Sequence, residues 1–155
     1  MSWSVIGLTV NTLSAILLSA SRREALLADA QALLERHVAQ RAGLRGVAWR
    51  SGLALLQAAR PGIVTRAVEA LLPQFLAALE PLYREFQAGS ERDFGLFLQR
   101  HRERAVDLLL QVTDQRAAGA AELTRSLYQR FRSQAEDEAQ ALLPAFARLL
   151  AGYLD

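Results

Sequence analysis

The sequence has 155 residues, 52% of them hydrophobic, which fits one globular domain and excludes intrinsic disorder. Its net charge is only +2 and acids are interleaved with arginines, so it lacks the broad basic surface of nucleic-acid-binding proteins. The chain contains no cysteine, which excludes disulfides, zinc–thiolate sites and thiol catalysis. Alanine and leucine predominate and no segment alternates like a half-buried strand, so the sequence predicts an all-α fold.

The first predicted element is an uncharged apolar segment over residues 1–20, followed by Arg22 and Arg23. It lacks the basic start of a signal peptide, and its serines, threonines and asparagine are unusual for a membrane span. We interpret it as an apolar N-terminal helix or extension docked on the core. Peripheral membrane association through residues 3–20 is the alternative, and a translation start at Val10 is also open.

Residues 21–155 are predicted to form a single helical domain, which makes the chain a bundle of about five to six helices. Ser21 and Glu24 have capping-box spacing, which predicts a helix start at Ser21. A sharp turn is expected over Gly43–Gly46, and Asp93 is expected to cap a later helix. The predicted helices after the N-terminal segment cover about 21–42, 47–59, 63–87, 93–119 and 121–154.

The central predicted helix, Ile63–Gln87, is the longest amphipathic run and contains Pro73 and Pro81. Both prolines fall toward its polar face, where a bend away from the ring relieves the proline clash. We therefore predict a proline-bent central helix, with three short helices as the alternative. Pro144 is expected to bend or break the C-terminal helix in the same way.

Residues that could carry chemistry are few. His101 lies within an apolar stripe, where a histidine is more often a hydrogen-bonded core residue than a ligand, and His37 lies at the edge of another stripe. Glu136, Asp137 and Glu138 are adjacent, so a helix spreads them over different faces and they indicate a solvated surface. The sequence therefore predicts no enzymatic activity, no metal site and no cofactor.

The chain contains a series of short motifs, which in chain order are Ser21–Arg23, Gly43–Gly46, Pro61–Val64, Leu71–Pro73, Leu79–Pro81, Phe86–Gln87, Asp93–Gly95 and Val112–Asp114. Together they resemble a small uncharacterised family of bacterial all-helical proteins, a domain of unknown function. The similarity runs from about Leu13 to the C-terminus. It implies an all-helical cytoplasmic domain and brings no activity, ligand or catalytic residue with it.

Function is predicted at the level of class. Wide apolar stripes, aromatic residues and prolines able to bow helices apart favour a non-enzymatic protein that holds an apolar ligand, such as a fatty acyl chain or lipid. The alternative is a homodimeric interaction module with a solid core and no ligand. Neither hypothesis includes nucleic acid as a partner. The residues expected to contact the ligand are Phe75, Leu79, Phe86, Phe97, His101, Phe131 and Phe146.

Overall fold

The computed structural model describes residues 12–41 and 43–154, and over these residues the chain forms eight α-helices and no strand. The predicted all-α class is confirmed. In chain order the helices are α1 (Leu13–Leu17), α2 (Arg23–Gln40), α3 (Gly43–Ala59), α4 (Ile63–Ala78), α5 (Glu80–Ala88), α6 (Phe94–Arg100), α7 (Arg102–Ala118) and α8 (Glu122–Leu154).

The helix count exceeds the prediction because two predicted helices are divided. The central run breaks at Leu79 into α4 and α5, which is neither one helix nor three. Pro73 lies inside α4, whereas Pro81 lies in the first turn of α5, where its missing N–H removes no helical hydrogen bond. The second division lies at His101, between α6 and α7. Pro144 does not break α8, which continues to Leu154.

Two predicted boundaries were wrong and one is confirmed. Helix α2 begins at Arg23 without a side-chain cap, because the preceding turn bonds the N–H groups of Arg22 and Arg23 to the Ser19 carbonyl. Gly43–Gly46 is the first turn of α3 and not a separate connection. Asp93 does cap α6, since its side chain accepts a hydrogen bond of 3.2 Å from the Leu96 N–H.

The early start of α3 depends on the two glycines of its first turn. Gly43 has a φ of 72°, which lets the chain turn directly into the helix. A Cβ atom at Gly46 would overlap the carbonyl of Arg41, so only glycine allows the end of the preceding segment to pass this closely. Close backbone packing in the connection between α2 and α3 therefore accompanies the helical conformation of these residues.

Helix α8, about 50 Å long from its 33 residues, is the axis of the bundle. It packs against α6, α7 and α2, while α4 packs on α7 and α2. Leucines fill the space between these helices and exclude water from it. The largest fully buried side chains are Leu13, Leu17, Leu26, Leu76, Leu79, Leu82, Leu98, Val106, Leu143 and Leu150.

The N-terminal segment reaches this core through α1. Leu13 and Leu17 are fully buried, and the Leu13 N–H donates a 2.7 Å hydrogen bond to Glu80 Oε1. Residues 1–11 lie outside the described residues, so core docking or membrane contact of that part stays a prediction. Within residues 12–41 and 43–154, no helix combines the length and the apolar content that a membrane crossing requires.

Close packing of α6 on α8 depends on Gly95. A Cβ atom there would lie 3.0 Å from Asp93 Oδ1, 3.1 Å from the Ala147 carbonyl oxygen and 3.2 Å from the Ala151 Cβ. We expect Gly95→Ala to lower the free energy of unfolding by about 1–2 kcal/mol, measured by urea titration, because the two helices must separate. The matched control is Gly152→Ala on α8, where an added Cβ meets nothing within 4 Å. Equal effects of the two substitutions would contradict this account.

Candidate apolar groove between α3 and α8

Helix α3 is apolar and poorly covered. Its only charged residues are Arg45 and Arg50, and both are engaged within the protein. Arg50 Nη1 donates to the Arg41 carbonyl at 2.8 Å, and Arg45 Nη1 lies 3.4 Å from Glu138 Oε2. Gly46 is the one buried residue of the helix. The apolar side chains of α3 are therefore left partly exposed to solvent.

An apolar groove of about 140 Å³ runs between α3 and the first half of α8. The rings of Trp49 and Phe131 stack in it with their centroids 5.0 Å apart. Gly52 makes this approach possible, since a Cβ there would lie 3.1 Å from Phe131 Cε2. The groove residues of each helix recur at helical spacing and so form one stripe on each side. They are Trp49, Gly52, Leu53 and Leu56 on α3, and Thr124, Leu127, Tyr128, Phe131 and Ala135 on α8.

One wall of the groove is backed by a polar network that joins α7 to α8. The Tyr128 hydroxyl donates to Asp114 Oδ1 at 2.6 Å and lies 2.8 Å from Thr113 Oγ1. Arg132 donates to both carboxylate oxygens of Asp114, and this hydrogen bonding lowers the pKa of Asp114. Burial, together with the bond to Asp114, raises the pKa of Tyr128 to about 12. Tyr128 is therefore a neutral phenol at physiological pH, and the network fixes its ring in the groove wall.

A buried carboxylate, that of Glu138, lies beside the N-terminal end of α3. The predicted solvated surface at Glu136–Glu138 was wrong for Glu138, which is only 7% exposed. Its Oε1 accepts hydrogen bonds from His37 Nε2 and Arg41 Nε, each at 2.8 Å, and Arg45 approaches its Oε2. Burial raises the pKa of Glu138, but the bonds from Arg41 and His37 outweigh it and leave this pKa below its ordinary value. The cluster ties α2 and α3 to α8.

The sequence contained a signal for this buried acid. Glu138 lies seven residues after Phe131 and four before Leu142, so it falls on the apolar stripe of α8, while Glu136 and Asp137 do not. An acid on an apolar stripe requires a partner. His37, at the edge of its own stripe, is one such partner.

The residues predicted to contact a ligand do not surround one cavity. Phe86, Phe97 and His101 do come together: the ring centroids are 5.7 Å apart for Phe86 and Phe97, and 4.4 Å for Phe97 and His101. Phe94 adds a third phenylalanine, 5.2 Å from Phe86. This aromatic cluster packs against the leucine core.

The other four predicted residues are dispersed. Leu79 is fully buried in the core, and Phe146 packs against the core from α8. Phe75 is half-buried on α4 and belongs neither to the core cluster nor to the groove. Phe131 is the one predicted residue that lines the groove. None of the residues predicted to contact a ligand lies on α3, because the sequence does not show that this helix packs beside α8.

The groove can bind but offers little chemistry. Its lining is almost wholly carbon, and Thr124 and Tyr128 supply the only side-chain hydroxyls. In the part of the chain that the structure describes, no group of three or more histidine or acidic residues is placed to hold a metal ion. What the arrangement provides is a half-open apolar surface with aromatic rings on its floor.

A family model matches residues 13–154, nearly the whole chain. The chain belongs to the DUF6918 family, a family of unknown function. No curated protein and no solved structure matches it. In this DUF6918 chain the groove is therefore characterised by its own geometry alone.

The short motifs quoted above have structural roles in this DUF6918 chain. Thr113 and Asp114 form the network with Tyr128, and Gly95 sits at the close contact of α6 with α8. Gly62, with a φ of 79°, precedes the first residue of α4. Glu80 accepts a 2.7 Å hydrogen bond from the Leu13 N–H, which links α5 to α1. These residues support the fold that presents the groove.

Proposed function

We propose that this chain is a non-enzymatic binding protein that receives an apolar group in the groove between α3 and α8. The observation that carries the proposal is the groove itself, with Trp49 stacked on Phe131 over an almost purely apolar floor. Apolar clefts with a few polar groups at the edge are the usual form of small-molecule sites.

The size of the groove limits the occupant. Sites that enclose a drug-sized ligand measure roughly 300–1,000 Å³, whereas an apolar cavity of about 150 Å³ holds a single benzene ring. At about 140 Å³, the groove matches one aromatic ring, one branched side chain or the end of an acyl chain. A whole fatty acyl chain would need bowing of the helices, and bending at Pro73 and Pro144 stays a prediction.

The homodimeric module remains the second candidate, favoured by the exposure of Leu44 at 90% and Val47 at 53% on α3. Membrane association through residues 3–20 and the cytoplasmic location also stay predictions.

Benzene is the probe that tests the proposal on the purified full chain. Binding at ten times the dissociation constant stabilises the folded state by about 1.4 kcal/mol, which raises the melting temperature by about 3–6 °C. The measurement is differential scanning calorimetry with and without benzene. Native mass spectrometry of gently purified protein adds a second readout, in which a co-purified apolar molecule of a few hundred daltons supports the proposal.

The groove is distinguished from other apolar sites by a matched pair of variants. Leu53→Trp fills the groove and is expected to remove the benzene-induced shift. Leu96→Trp makes the same change at an exposed leucine of α6, and we expect benzene still to raise the melting temperature of this variant. No shift in the unmodified chain, or an equal shift in both variants, would overturn the proposal.

A further inference from the structure

We propose that the groove and the exposed face of α3 together dock an amphipathic helix of a partner protein whose apolar stripe is bordered by acidic residues. This inference rests on the proposed function, since the groove supplies the pocket for one anchoring side chain of the partner. It adds the kind of partner and the surface outside the groove.

The apolar surface of α3 extends well beyond the groove. Leu44, Val47 and Leu55 are 90%, 53% and 49% exposed, and at 100° per residue they fall within one arc of about 80°. Gly52, which belongs to the groove stripe, lies about 60° beyond the edge of this arc around the axis of α3. No charged residue lies in the exposed stripe. The stripe and the groove therefore form a continuous apolar surface on α3.

The dimensions fit a helix. Helix α3 has 17 residues and is therefore about 25 Å long, which accommodates three to four turns of a second helix. Helices that dock in apolar grooves insert side chains at positions i, i+3 or i+4, and i+7. A groove of about 140 Å³ accepts one such leucine or phenylalanine of the partner helix. The neighbouring apolar side chains of that helix then pack against the exposed stripe of α3.

The charges around this surface determine the partner. Arg60 lies one turn beyond Leu56 on the groove side of α3, and Arg125 and Arg130 flank the α8 stripe. The Arg130 guanidinium lies 5.9 Å from the centre of the Phe131 ring. All three arginines are exposed, and none forms an ion pair among the described residues. The part of the rim formed by these three arginines is therefore positively charged.

This charge selects among the possible occupants. Glu136, the acid closest in sequence to the α8 stripe, follows Ala135, and its neighbour Asp137 pairs with Arg45 at 3.8 Å. Both acids lie at the end of the groove away from Arg60, and Glu122 lies on the opposite side of α8 from the stripe. A two-fold axis through α3 would bring the same arginines of two copies together, which disfavours a homodimer at this surface. A concave groove between two helices is filled by a protruding side chain better than by a flat bilayer. An acidic amphipathic helix fits both the concave shape of the groove and the positive charge of the arginines at its rim.

The test uses two synthetic probe peptides and the full chain. Both peptides are designed amphipathic helices with the same leucine stripe, one bordered by glutamates and the other by lysines. We expect the glutamate peptide to bind at least tenfold more tightly in isothermal titration calorimetry, with a preference that shrinks at high salt. The double substitution Arg60→Glu and Arg130→Glu reverses the charge of the rim. We expect this variant to bind the lysine peptide more tightly than the glutamate peptide. Arg102→Glu, an exposed arginine of α7 away from the groove, is the matched control and is expected to preserve it.

A second variant tests the apolar stripe. Leu55→Asp is expected to weaken the glutamate peptide at least tenfold, whereas Leu96→Asp on α6 leaves its affinity unchanged. Circular dichroism checks that each variant is folded. Equal affinity for the two peptides, or unchanged affinity in Leu55→Asp, overturns the inference.

The remaining outcomes separate this inference from the proposed function. Benzene binding without peptide binding overturns the acidic-helix partner and leaves the groove as an apolar site. A dimer in sedimentation velocity that Leu44→Glu abolishes assigns the surface to a second copy and overturns the inference. Binding to phosphatidylglycerol vesicles that Leu55→Asp abolishes, with no peptide binding, assigns it to a membrane and also overturns it.

Discussion

Replacing Glu138 with glutamine is expected to lower the free energy of unfolding by about 2–3 kcal/mol. The substitution leaves Arg41, Arg45 and His37 without the buried carboxylate that joins them, and removing one member of such a pair is strongly destabilising. The arginines are about a third exposed and keep part of their hydration, which places the effect toward the lower end of the range for buried pairs. Denaturant titration at neutral pH measures it.

Glu136→Gln is the control for this substitution, because it removes an exposed acid from the same turn of α8 and is expected to change stability by less than about 0.5 kcal/mol. Glu138 has a pKa below its ordinary value of 4.5 in the folded state. Its contribution is therefore complete above about pH 4.5 and is lost as the pH falls through the lowered pKa. The stability gap between the unmodified chain and Glu138→Gln should be constant near neutrality and shrink in acid. A gap that stays constant in acid would contradict the charge-based explanation.

Leu79→Ala is expected to destabilise the protein by about 3–4 kcal/mol. Leu79 is fully buried at the junction of α4 and α5, so its loss removes apolar contacts and leaves a cavity among the core leucines. Phe75→Ala, one turn earlier on α4, removes a larger side chain from a half-buried position outside that cluster, and we expect a smaller loss of about 1–2 kcal/mol.

Chemical denaturation of both variants under identical conditions compares these two losses. A larger effect at Phe75 than at Leu79 would show that α4 packs with a different face toward the core. A loss of less than about 1 kcal/mol at Leu79 would contradict the existence of a tightly packed junction there.

The helices were predictable where the signal is local. Apolar spacing identified most of the helical residues, and Asp93 identified the start of α6. Pro81, which was predicted to bend a continuous helix, instead lies in the first turn of α5. The break at His101 has no local signal, because the apolar stripe continues through it without proline or glycine. It arises from tertiary packing: Gly95 brings α6 close to α8, and α7 then continues in contact with α4 and α8.

The groove was only partly predictable for a related reason. Phe131 was identified as an apolar contact residue, but its stacking on Trp49 joins positions 82 residues apart (131 − 49) on helices that the sequence does not show to be neighbours. Gly46 was interpreted as part of a turn and Glu138 as part of a solvated surface. Gly46 is determined by the Arg41 carbonyl in the connection before α3, and Glu138 by the side chains that other helices place beside it.

The sparse burial of α3 has a consequence for the native-state dynamics of the protein. Because Gly46 is the only buried residue of α3, we expect this helix to contribute little to the global unfolding free energy and to open without the rest of the bundle. Backbone amides of α3 then exchange with solvent through local opening, whereas those at the centre of α8 exchange through global unfolding. Because the groove exists only while α3 is closed, an occupant slows exchange in α3 first, and ligand binding is coupled to the folding of one helix.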